Sequence, residues 1–101
     1  MIVYNVTVKV HKSIADKWLL WLQTVHVIDV MKSSCFTAYK ILKLLEVDDE
    51  DGPTYAVQYF AESKAIYNSY IEKYAGLMHQ NSFDAWGDKF IAFRSVMQIV
   101  E

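Results

Sequence analysis

Ile2-Val3-Tyr4-Asn5-Val6-Thr7-Val8-Lys9-Val10 is the stretch that decides the fold of this chain. Its residues are mostly β-branched or aromatic, and they alternate with period two. Tyr4, Val6, Val8 and Val10 point one way, and Val3, Asn5, Thr7 and Lys9 point the other. That pattern is a first strand with an apolar side that needs covering. The rest of the chain must supply its partners and its cover.

Downstream, Ser13 with Asp16 three residues on has the spacing of a helix N-cap and its answering acid. Ile14, Trp18, Trp21, Leu22, Val25 and Ile28 then recur along one helical face. Val25-His26-Val27-Ile28-Asp29-Val30 is rich in poor helix formers, so a distorted or restarted last turn is expected, with an exit at Lys32-Ser33-Ser34. Residues 36–47 read as a second strand of mixed alternation and residues 55–60 as a third. Between them lies a turn over residues 48–53, where Gly52 can take positive φ and Pro53 cannot donate a ladder bond. Ser63 can cap a second helix whose inward face is Ile66, Tyr67, Tyr70, Ile71, Tyr74, Leu77 and Met78. Asn81-Ser82 breaks that pattern, and Phe83 and Trp86 fit a short extra turn ended by Gly87. Residues 89–100 read as the last strand. It has Ile91, Phe93, Met97 and Ile99 on one side, and Phe90, Ala92, Arg94, Val96 and Gln98 on the other.

The order is βαββαβ. With right-handed crossovers it gives an α+β, ferredoxin-like sandwich: a four-stranded antiparallel sheet with both helices on one face. The 101 residues fit one such domain, 1–101. Two helices cover only one face. If Tyr4, Val6, Val8, Tyr55, Val57, Tyr59, Ile91 and Phe93 face them, the other face carries Val3, Asn5, Thr7, Ala56, Gln58, Phe60, Phe90, Ala92, Arg94 and Val96, with Leu42 and Leu44 at the hairpin mouth. That is too apolar for a wetted sheet. The 53% hydrophobic and 15% aromatic content is also high for so small a protein. The simplest cover is a second copy, giving a homodimeric α+β barrel. Asn5, Gln58 and Arg94 would lie in that interface, either as a hydrogen-bonded cluster that sets register or as an anion site on Arg94.

Net charge is −2, and the basic residues form no stripe, which speaks against a nucleic-acid partner. The acidic run from Glu46 to Asp51 lacks the ligand spacing of a calcium loop and reads as a solvated turn. Cys35 is the only cysteine, so there is no disulfide framework and no zinc spacing. The start of the chain has no signal-peptide pattern, and no apolar run is long enough to span a membrane. A cytoplasmic, bacterial-type protein without a cofactor is expected. No glycine-rich phosphate loop, G-x-S-x-G or H-E-x-x-H motif is present.

Two groups of residues remain as site candidates. Tyr4, Tyr55, Tyr59, Tyr70 and Tyr74 either fill the core with hydroxyls at its rim or line a ligand cleft between sheet and helices. His26 and Asp29, three apart on a helix, either bond locally or form a pair in which the carboxylate orients the imidazole and raises its pKa. A metal site joining them to His79 would require converging helical faces. The helical wheel turns His79 outward, so no metal is expected.

The runs Met1-Ile2-Val3-Tyr4-Asn5-Val6-Thr7-Val8, Trp18-Leu19-x-Trp21, His26-Val27-Ile28-Asp29-Val30-Met31, Tyr55-Ala56-Val57-Gln58-Tyr59 and Phe83-x-x-Trp86-Gly87-Asp88-Lys89-Phe90-Ile91-Ala92-Phe93-Arg94 resemble an uncharacterised domain-of-unknown-function family of short bacterial proteins. The resemblance spans nearly the whole chain. It implies the ferredoxin-like fold and kinship with dimeric α+β barrel proteins, a group that includes cofactor-free monooxygenases, stress-response barrels and small-ligand binders. The family's H-x-P-D stretch stands here as His26-Val27-Ile28-Asp29, with Ile28 in place of the proline. Tyr74 stands near where the family often has a second histidine, which argues against a two-histidine site. Three functions stay open: a homodimeric binder of a small apolar or aromatic molecule, a cofactor-independent monooxygenase- or isomerase-like enzyme using His26 and Asp29, and a structural or regulatory dimer without ligand.

Overall fold

A computed structural model describes residues 1–101. Four strands, β1 (Ile2–Val10), β2 (Ala38–Lys43), β3 (Thr54–Ala61) and β4 (Phe90–Gln98), form one sheet in the order β2-β3-β1-β4. Every neighbouring pair is antiparallel. The helices at residues 15–31 and 64–86 are the two crossovers, and the architecture is the expected ferredoxin-like one.

β1 and β3 are the two central strands, and burial along β3 alternates residue by residue. Tyr4, Val8 and Val10 are buried under the helices. They join Tyr55, Val57 and Tyr59 of β3 and Trp18, Leu22, Val27, Val30, Tyr70 and Met78 of the helices in one core. The turn before β3 requires its glycine. Gly52 has φ +143°, and a Cβ there would lie 1.8 Å from the Val10 carbonyl oxygen. β2 is shorter than expected at both ends: Phe36 precedes it and is buried in the core at 5% exposure, and beyond Lys43 the chain turns, with Glu46 at φ +56°.

The helices carry the main departures. Ser13 does not cap the first one. It lies in a turn and hydrogen-bonds His11, its hydroxyl 2.7 Å from Nδ1. The helix starts after Ile14 with no side-chain cap. Ser63 does cap the second, accepting from the Ile66 amide at 3.2 Å. Asn81-Ser82 does not end that helix: the Ser82 hydroxyl donates to the Met78 carbonyl within it, and it runs on to Trp86. Gly87, with φ +60°, then terminates it.

Each helix contains a five-residue π turn after a seven-residue α segment, Leu22–His26 in the first and Ile71–Ala75 in the second. A π turn adds one residue to a helical turn and so rotates everything after it. The residue inward after Leu22 is therefore Val27, whose amide donates to the Leu22 carbonyl, and then Val30. Val25 and Ile28, expected inward, are 44% and 43% exposed. The second helix repeats the step: Tyr70 is followed inward by Ala75 and Met78, while Ile71 and Leu77 turn outward.

The last strand has the opposite parity to the one expected. Val6 pairs with Arg94 and Val8 with Ala92, so Phe90, Ala92 and Arg94 face the helices. Thr7 pairs with Phe93 and Lys9 with Ile91, which puts those two side chains on the uncovered face. Phe93 is 67% and Ile91 58% exposed.

Candidate functional site

The cleft between the helices and the sheet holds a cavity of ≈ 50 Å³, several times the ~10–15 Å³ that one water centre needs. Of its 17 lining residues, 13 are hydrophobic, and none is acidic. Its floor is Tyr4, Val6 and Val8 of β1, Val57 and Tyr59 of β3, and Phe90, Ala92 and Arg94 of β4. Trp21, Leu22 and His26 come from the first helix, and Tyr70, Met78 and His79 from the second.

The π turns place the polar groups. His26 is the last residue of the first π turn, and its ring lies on the cavity wall. There it stacks on Trp21, with ring centroids 4.8 Å apart and planes at 23°. The second π turn rotates His79, so it lines the same cavity even though much of its surface is exposed. His79 is exposed, as expected, but the π turn also brings it to the cavity, which a wheel drawn for an unbroken α-helix does not show.

His26 does not have the raised pKa expected of an Asp29 pair. Burial pushes it down to about 4. Asp29 raises it, but less than burial lowers it, and His79 and Arg94 lower it further. Burial also lowers the pKa of His79, with Arg94 adding to the effect. Both imidazoles are therefore neutral near pH 7.

Among the tyrosines, Tyr4, Tyr59 and Tyr70 line the cavity, and burial raises the pKa of each phenol. The Arg94 guanidinium opposes this at Tyr4. Tyr55 and Tyr74 do not line it. Tyr55 stacks on Trp18 at 5.6 Å, and Tyr74 stacks on Tyr70 at 6.1 Å. The only fully buried side-chain nitrogen or oxygen without a partner is Trp86 Nε1, edge-on to Trp21. Every buried tyrosine hydroxyl thus either has a partner or reaches accessible space.

The expected polar cluster on the uncovered face is present without Arg94. Gln58 Nε2 donates to Asn5 Oδ1 at 3.3 Å, and Asn5 Nδ2 donates to Thr7 Oγ1 at 3.0 Å. Arg94 belongs to the cleft instead. Sequence reasoning assigned a lone arginine in a strand to the less covered side. The clue it passed over was the bulk of Ile91 and Phe93 at the alternate positions, which suits a protein interface as well as a core.

Comparison with known proteins adds the following. The chain belongs to a family described as a domain of unknown function (DUF4286), whose model matches residues 1–100. No curated protein sequence matches it. Among solved structures it is similar to a dimeric ferredoxin-like protein from an uncultured marine organism, at 10% identity and TM-score 0.77, covering 99% of this chain and 95% of that one. It is similar to SnoaB, a cofactor-independent oxygenase from Streptomyces nogalater, at 11% identity and TM-score 0.67, covering 99% and 93%. It is also similar to a hydroxynitrile lyase from Passiflora edulis, at 15% identity and TM-score 0.60, covering 99% and 96%. At these identities the likeness is one of fold.

Proposed function

We propose that this member of a family of unknown function is a homodimeric small-molecule-binding protein, with one ligand in the helix–sheet cleft of each subunit. The observation that carries the reading is the convergence of His26, His79 and Arg94, from three separate elements, on one largely apolar cavity. Apolar walls with a few convergent polar groups are the usual make-up of a ligand site. Both π turns serve that convergence, and π turns recur at functional sites.

The dimer rests on the uncovered face. Phe93, Ile91, Leu42 and Met97 lie exposed on it around the Asn5–Gln58 bond. Covering them gains ~25 cal/mol per Å² of apolar area. The marine ferredoxin-like protein, described as dimeric, supports the same arrangement here.

The test is a thermal-shift panel of small aromatic acids, quinones and fatty acids on the wild type and on Val6→Phe, which fills the cleft floor. At least one class is expected to stabilise the wild type by ~2.7 kcal/mol at one hundred times Kd, raising its melting temperature, and to leave the variant unmoved. A panel that shifts neither protein, with the variant more stable than the wild type, would point to a cleft that is only a packing defect.

A second reading is cofactor-independent proton abstraction by His26, as in an oxygenase or lyase. The unprotonated ring on the cavity wall favours it. The low basicity of that ring opposes it, since an effective general base has a pKa near the working pH. Binding is the reading that needs no further adjustment of the site.

A further inference from the structure

On the footing of the cleft reading, we infer that the ligand is a compact aromatic or apolar carboxylate, held with its anionic end among Arg94, His26 and His79.

Three observations converge on this class. First, the chain has 12 acidic residues, and none lines the cavity. The guanidinium there faces two imidazoles and a phenol, with no carboxylate on the wall. Second, the three nitrogen-bearing groups lie within electrostatic reach of one another, because Arg94 acts on both histidines and His79 acts on His26. The guanidinium charge disfavours protonation of either imidazole. An anion among them opposes that effect. Third, Arg94 is on the helix side of an edge strand whose other side is uncovered. A guanidinium in a cleft is the side chain best shaped to take a carboxylate through two parallel N–H bonds.

The remaining wall sets the rest of the ligand. Trp21, Leu22, Val6 and Met78 offer apolar and aromatic surface and no further charge. A bare inorganic anion would leave that surface unused.

Proton linkage follows from the same geometry. The groups that face His26 are Asp29 on its own helix, His79 on the second helix, Arg94 on β4, and the phenols of Tyr4, Tyr59 and Tyr70 that share the cavity. Asp29 alone favours the protonated ring. A bound carboxylate joins Asp29, so the histidines take up protons more readily in the complex than in the free protein.

The experiment compares benzoate, its neutral isostere benzamide, and inorganic phosphate at constant ionic strength. It follows the ring resonances of His26 and Trp21. Benzoate is expected to bind at least ~10-fold more tightly than benzamide. Its affinity should rise several-fold from about pH 7.5 to about pH 5.5, while that of benzamide stays flat. Arg94→Gln should bring the two within ~2-fold; because Arg94 is exposed on an edge strand, the variant is expected to fold, and the wild-type ratio decides the matter if it does not. Equal binding of benzoate and benzamide overturns the carboxylate class and leaves the cleft reading intact. Phosphate binding as tightly as benzoate overturns the apolar part. No response to any of the three overturns this inference, and the cleft reading then stands or falls on the quinones and fatty acids of the thermal-shift panel.

Discussion

The two faces of the sheet are both apolar, yet they are built to different ends. Under the helices, β1, β3 and β4 offer Tyr4, Val6, Val57, Tyr59 and Ala92, and the helices bring His26 and His79 down onto them beside Arg94. On the reverse, the same strands offer Val3, Phe60, Phe93, Ile91 and Met97 around an Asn5–Gln58 hydrogen bond. The covered face has its ionisable groups clustered about a cavity. The uncovered face pairs the Asn5 and Gln58 amides with one another, carries Lys40 beside Gln58, and leaves its bulky side chains exposed. The first arrangement suits a small molecule and the second suits another sheet. Apolarity alone does not distinguish a core from an interface; the placement of polar groups does.

Substitutions on the two faces should therefore fail differently. Leu22→Ala, at a covered and almost fully buried position, should cost ~2–5 kcal/mol of folding stability through the cavity it leaves, read from denaturant midpoints. Phe93→Ala, read the same way at protein concentrations low enough to dissociate the dimer, should move folding by no more than ~0.5 kcal/mol. Comparable losses at both sites would erase the distinction.

The acid limb of stability should track the covered face. His26 has a folded pKa of about 4 against an unfolded value of 6.5. Its contribution is complete above pH 6.5 and declines as pH falls from 6.5 to 4, because the unfolded chain binds the proton first. The ceiling is roughly 3 kcal/mol. His26→Gln should flatten the stability curve across that window, and an unchanged curve would show that the ring is solvated.

On the uncovered face, Phe93→Glu should weaken self-association by ~100-fold, about 2.7 kcal/mol, while far-UV circular dichroism stays the same. The smallest expected effect is that of Gln58→Ala. Losing one neutral hydrogen bond within the subunit should cost about 1 kcal/mol of folding stability and leave ligand binding in the cleft unaffected. A change in cleft affinity would couple two faces described here as separate.

The parts of this division that could be read from sequence are the parts where one residue type allows one answer. β1 was fully legible because its polar and apolar residues alternate. The Ser63 cap, the glycine turn at Gly52 and the Gly87 terminator were legible for the same reason. β4 was not, since Phe90 and Ala92 at one parity compete with Ile91 and Phe93 at the other. Its register, and with it the side on which Arg94 lies, is set by pairing with β1. The π turns were foreshadowed only as a poor helical stretch around Val25-His26-Val27. A single inserted residue leaves no mark in the hydrophobic period before it and shifts the whole period after it. That shift hid the convergence of His26 and His79, and with it the polar half of the site.

Sedimentation equilibrium at micromolar concentration asks most directly whether the reverse face is an interface. A particle of twice 11.7 kDa, dissociating when Phe93 becomes glutamate, is the predicted result. A lone 11.7 kDa particle with Phe93 and Ile91 in contact with water would contradict it.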